Sequence, residues 1–176
     1  MTHLNSVAIE PTLKKLQVKE IYIMLTATIL IQFAVHLIPP INGVPLGAIL
    51  LPMFYIPLIA LIFYKFHVGL LAAVLGPIIN YLLTGSPKIE IVFLLTVELI
   101  VFVLILLFLL NNKINKISAL IAILSAKLTS WFVFTTLPLS SEFSTGFFVQ
   151  SFTNAIPGIF VLALMNFLLL YIKDKI

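Results

Sequence analysis

The chain has 176 residues, 62% of them hydrophobic and only 9% charged, with a net charge of +4. A water-soluble domain carries roughly 25% charged residues, so this composition excludes an ordinary soluble enzyme and a nucleic-acid binder with a basic face. It contains neither arginine nor cysteine. Bidentate arginine clamps, disulfides and thiolate metal sites are therefore excluded too.

Residues 1–19 are the one extended polar stretch and end in Lys14, Lys15 and Lys19. They read as a cytoplasmic N-terminal segment, either a short surface helix or a frayed tail, with the membrane domain over 20–176. Residues 20–38 are long enough to cross a bilayer at ~1.5 Å per residue. No small-residue cleavage site follows, so this is a retained helix and not a signal peptide. After the uncharged turn 39–46, the second span runs over 47–64. Pro52 and Pro57 predict an irregular backbone there, because each proline removes a hydrogen-bond donor. The third span, about 68–84, carries Gly69, Gly76, Pro77, Asn80 and Thr84. It is expected to be irregular at Pro77 and to end in the turn Thr84-Gly85-Ser86-Pro87.

The fourth span, about 89–110, has Glu98 well inside it. A polar turn over 111–116 leads to the fifth, about 117–137, with Lys127, Ser130 and Trp131. The loop 138–146 carries Glu142. The sixth span, about 147–172, contains Gln150, Asn154 and Pro157-Gly158. In this arrangement Lys14, Lys15, Lys19, Lys65, Lys113, Lys116, Lys173 and Lys175 all fall on one side. Lys88 alone lies on the other. Lysine-rich loops stay in the cytoplasm, so both termini are expected there. The predicted fold is an all-α integral membrane protein of six transmembrane helices, with a ligand cavity in its outward half.

Glu98 and Lys127 are the ionisable residues deepest in the spans. At a bilayer centre each would cost roughly 2.5–3.5 kcal/mol, so neither is expected to face lipid. Both lie about ten residues into antiparallel helices, at similar depth. Either they pair with each other or they address an acidic or zwitterionic ligand. Trp131, one turn after Lys127, is either a stacking platform or an interface anchor. Asn80 and Asn154 each sit beside a Pro-Gly weakness in the backbone. His36 reads as interfacial. The candidate substrate pocket is therefore Asn80, Glu98, Lys127, Trp131 and Asn154, under the loops 39–46 and 85–88. Phosphate-cradling loops, metal-ligand spacings and paired carboxylates within one span are missing from the sequence. No catalytic activity, cofactor or metal is expected.

Three stretches in order resemble one family. Leu51-Pro-Met-Phe-Tyr-Ile-Pro57, Gly69-Leu-Leu-Ala-Ala-Val-Leu-Gly-Pro77 and Leu82-Leu-Thr-Gly-Ser-Pro87 are similar to the substrate-binding (S) component of energy-coupling-factor (ECF) transporters. Glu98 and Ala155-Ile-Pro157-Gly158 match further positions, so the resemblance covers about 50–160. Phe54 stands where that family often carries histidine, and Ala163 and Met165 lie where glutamine is common. Ala27 and Ala34 are seven apart, where the family presents two alanines four apart.

The resemblance implies a multi-pass protein of a prokaryotic plasma membrane that captures a water-soluble vitamin or precursor from outside. Its implied partners are a transmembrane coupling (T) subunit and two cytoplasmic ATPases. The alternatives are a stand-alone carrier driven by an ion gradient, with Glu98 as its protonation site, and a non-transporting membrane scaffold.

Overall fold

A computed structural model describes residues 6–136 and 145–175, with side chains from residue 18 onward except that of Thr145. Most of the predicted loop 138–146, Glu142 included, lies outside the described residues, as do the side chains of Lys14 and Lys15. The described chain is helical: α1 (Ser6–His36), α2 (Leu46–Leu50), α3 (Tyr55–Phe63), α4 (Phe66–Thr84), α5 (Ile89–Asn111), α6 (Ser118–Thr136) and α7 (Thr145–Lys173). Five helical stretches are long and apolar enough to cross a membrane: Val18–His36, Phe66–Thr84, Ile89–Asn111, Ser118–Thr136 and Gly146–Lys173. Their outer faces carry large exposed apolar side chains such as Leu30, Phe33, Leu82, Phe132 and Phe160. A surface of that kind fits hydrocarbon and not water.

Predicted and observed elements differ in three places. The expected second span is made of three short pieces: α2, a 3-10 turn over Pro52–Phe54, and α3. Pro52 cannot continue α2, so Leu51 takes a left-handed conformation with φ 54° and the chain restarts. The Tyr55 hydroxyl donates to the Leu50 carbonyl, which satisfies an acceptor left open by the break. Pro57 causes no second break. It lies in the first turn of α3, where a missing N–H is tolerated.

Pro77 does not interrupt its helix either, since α4 runs unbroken through it, as α7 does through Pro157. One lost donor in a 19-residue helix leaves the flanking turns bonded, and Pro77 is itself buried among neighbours. At the N-terminus, α1 continues through Lys19 and Glu20. The polarity changes there but the backbone does not.

Packing uses small residues. In α6 a stripe of Ser118, Ala119, Ala122, Ile123, Ala126, Lys127 and Ser130 is buried at helical spacing. The alanines and Ile123 share the core with Leu99, Phe102, Val103 and Leu106 of α5. Such alanines let backbones approach closely where no hydrophobic drive operates between helices. Phe54 packs edge-on against Phe102 with ring centroids 5.2 Å apart. The ring at the position where the resembled family has histidine is thus a core contact. Gly158 of α7 meets the C-terminal end of α2, where a Cβ would fall 2.6 Å from the Ile49 carbonyl oxygen.

At the lysine-bearing end, one buried asparagine does a structural task that the sequence reading missed. The Asn166 Nδ2 donates to the carbonyls of Asn115 at 2.9 Å and Lys116 at 3.2 Å, and the Ser118 hydroxyl donates to its Oδ1 at 3.2 Å. This ties α7 to the α5–α6 connection and the start of α6. Asn166→Ala is expected to lower stability by about 1–3 kcal/mol, since three hydrogen bonds and their packing are lost. A thermal melt of the purified variant in detergent reads this directly. A melting temperature equal to that of the unmodified chain would assign Asn166 no structural role.

Candidate binding cavity

A cavity of about 400 Å³ lies at the end of the bundle opposite Lys65, Lys113, Lys116 and Lys173. The breaks in the chain explain why it exists there. Because α2 stops at Leu50 and turns through Leu51, the α1–α2 loop folds over the helix ends and brings Val44 and Pro45 to one wall. Ser86 and Pro87, from the turn after α4, approach from another side. Apolar walls come from Ala48, Leu51, Met53, Ile91, Leu95 and Phe147. Polar groups enter from α1 (Gln32, His36), α4 (Asn80), α6 (Lys127) and α7 (Gln150, Ser151, Asn154). A mainly apolar hollow with a few convergent polar groups is the usual form of a small-molecule site, and this volume lies at the small end of the range.

The five sequence-predicted residues divide between two neighbouring spaces. Asn80, Lys127 and Asn154 line the main cavity. Glu98 and Trp131 line an adjoining space of about 70 Å³, which shares Ile91, Leu95, Lys127, Phe147 and Ser151 with it. Lys127 is therefore part of the partition. Its ammonium stands 2.9 Å from Glu98 Oε2 and 3.1 Å from Oε1. Both side chains are almost fully buried, at 5% and 6% exposure. Of the two sequence readings, mutual pairing is the one present in this structure. Trp131 contacts Phe148 with ring centroids 5.9 Å apart and lies partly exposed beside the smaller space.

Asn80 is engaged on both edges of its amide. Nδ2 donates to the Ser86 carbonyl at 2.9 Å, and Oδ1 lies 3.0 Å from His36 Nε2. The Ser86 carbonyl can only accept, which orients the amide. Oδ1 then faces His36, so Nε2 must carry the proton. Thr84 completes the turn by donating to the Asn80 carbonyl at 2.8 Å. Asn80 thus holds the α4–α5 turn and the end of α1 together over the cavity. His36 lies exposed at the end of α1, as an interfacial residue would, and it also bonds to α4 across the cavity rim.

Gln32 was missed. It is 3% exposed and faces the cavity. A signal was present in the sequence, because Thr28, Gln32 and His36 recur every four residues and so share one face of α1. Thr28 and Gln32 are both buried, with the Thr28 methyl 3.5 Å from where a Gly76 Cβ would stand. Among the described residues, no group of three or more His, Asp or Glu side chains is placed to hold a metal ion. No protein-family model matches the chain, and neither a curated protein nor a solved structure is detectably similar to it.

Proposed function

We propose that the chain is the substrate-binding subunit of a membrane importer, of the kind it resembles in sequence: the S component of an ECF transporter. In this reading α2, the 3-10 turn and α3 together form a broken second span. Six spans then place both termini in the cytoplasm of a prokaryotic cell. The observation that carries the reading is the cavity itself, walled by side chains from α1, α2, α4, α5, α6 and α7 at the end remote from the lysine-bearing connections. If lysine-rich loops are cytoplasmic, the cavity opens outward, where a scarce solute is captured. The loops 39–46 and 85–88 close over that solute.

Release inward requires reorientation of the bundle. The sequence has no phosphate-binding loop, so in this reading a T subunit and two ATPases supply the energy. Asn80 and His36 clamp the cavity rim, Asn154 contacts the solute, and the Glu98–Lys127 pair forms the inner wall. Trp131 braces that wall through Phe148.

Binding is tested by screening the purified chain in lipid nanodiscs against water-soluble vitamins by thermal shift. Ligand-dependent stabilisation supports capture. Proton-driven uptake by vesicles holding this chain alone would replace the proposal with a stand-alone carrier. Absence of both binding and uptake would leave a membrane scaffold. Orientation is tested separately with single cysteines in intact cells. Pro40→Cys is expected to react with an impermeant maleimide and Ile114→Cys to be protected until the cells are lysed. The reverse pattern overturns the topology.

A further inference from the structure

The polar inventory of the cavity is uneven in charge. Two basic side chains line it among the described residues, and neither is free. The Lys127 ammonium is held by both Glu98 oxygens at 2.9 and 3.1 Å. His36 Nε2 donates to Asn80. The carboxylate nearest the cavity is likewise engaged. An anion entering would have to draw Lys127 away from a partner already fixed beside it, stranding Glu98 in an apolar wall. A cation would meet the same obstacle from the other side. Buried charge left unpaired is strongly disfavoured.

The groups that remain available are uncharged. Gln32, Gln150, Ser151 and Asn154 line the cavity and form no side-chain hydrogen bond among the described residues. Gln32 is decisive because it is 3% exposed, yet its amide atoms are not sealed in protein. Gln32 lines the cavity, and its amide has no protein partner there among the described residues. A primary amide offers both a donor and an acceptor, and its complement is another amide, lactam or imide edge.

We infer that the cavity selects an uncharged, largely apolar molecule bearing an amide-type edge, read by Gln32 and Asn154, and that Glu98 enforces this neutrality by holding Lys127. The inference rests on the proposal that this chain captures a small solute, and adds to it the chemical class of that solute. The substrate presents its amide edge to α1 and α7 and its apolar body to Leu51, Met53, Ile91 and Leu95.

Matched pairs differing in charge test this with the full chain in nanodiscs: nicotinamide against nicotinate, pantothenol against pantothenate, and riboflavin against flavin mononucleotide. At least one neutral member is expected to bind, at least ~10-fold tighter than its anionic counterpart. Gln32→Leu should weaken that neutral compound by a similar factor while the melting temperature without ligand stays within a few degrees. Glu98→Gln, which releases Lys127, should shift the preference toward the anionic member of the same pair. Should Glu98→Gln fail to fold, the wild-type pairs and Gln32→Leu still decide. Tighter binding of an anionic member to the unmodified chain overturns the inference and leaves solute capture standing. Unchanged affinity in Gln32→Leu overturns the assigned contact. No binding by any of the six compounds counts against solute capture itself, and this inference falls with it.

Discussion

Gly158→Leu is expected to prevent the chain from reaching a stable fold. At this position even a Cβ would lie 2.6 Å from the Ile49 carbonyl oxygen and from the Leu50 carbonyl carbon. Both are backbone atoms, which no rotamer change can move aside. Inserting atoms into a packed interior costs about 1–3 kcal/mol when side chains can yield, and more when they cannot. The end of α2 would be driven off α7, and Leu51 with Ala48 would leave the cavity wall. Gly158→Ala should show the same effect in milder form, with reduced melting temperature and lost ligand binding. Gly76→Ala is the control. Its Cβ would rest 3.5 Å from the Thr28 methyl, an ordinary contact. It should melt within about 1 kcal/mol of the unmodified chain, and the better helix propensity of alanine acts in its favour. Equal stability of the Gly158 and Gly76 variants would show that α2 does not dock on α7 as described.

Glu98→Gln should destabilise the protein by about 3–5 kcal/mol, because it leaves the Lys127 ammonium buried without its counter-ion. The effect is large for a change of one atom type. Lys127→Met alone should also destabilise, by leaving the carboxylate unpaired. The double variant Glu98→Gln with Lys127→Met is expected to recover most of the loss, since an uncharged pair of similar volume leaves no buried charge to desolvate. Melting of the four proteins in one detergent forms a double-mutant cycle. Additive losses in that cycle would mean that the two groups do not act as a pair. Ligand affinity in the double variant then separates wall from contact. If the pair only builds the partition, the double variant binds as before. If either group touches the solute, affinity falls even though stability returns.

The sequence was informative about the site to an unequal degree. Glu98 and Lys127 were legible as buried, and as level with each other, because lipid penalises charge and helical rise converts sequence position into depth. Asn80 and Asn154 were found by the same penalty. Sequence could not say what those side chains bond to. The Asn80 amide is held by His36, 44 positions away in sequence, and by the Ser86 carbonyl. Gln32 was legible in principle from its four-residue spacing to Thr28 and His36. One glutamine in an apolar span can face a neighbouring helix or reach the interface, and spacing alone does not choose between them. Asn166 gave no local signal at all, since its partners lie in a loop about 50 positions away.

By itself, the sequence determined the helical character of the chain, the approximate bounds of its five long apolar helices and the places where polar groups could not meet hydrocarbon. Hydropathy and helical periodicity are local quantities, and these features follow from them. Tertiary structure decided the rest. Of the proline positions, Pro52 breaks its helix, whereas Pro57, Pro77 and Pro157 do not. Pro57 lies in the first turn of α3, where its missing donor is not needed, and Pro77 is buried among neighbours, whereas Pro52 follows a Leu51 already turned left-handed. Gly76 and Gly158 each adjoin a proline in the sequence, yet only Gly158 is pressed against another backbone. That difference depends on which helix lies opposite, and distance in space is not a property of sequence spacing.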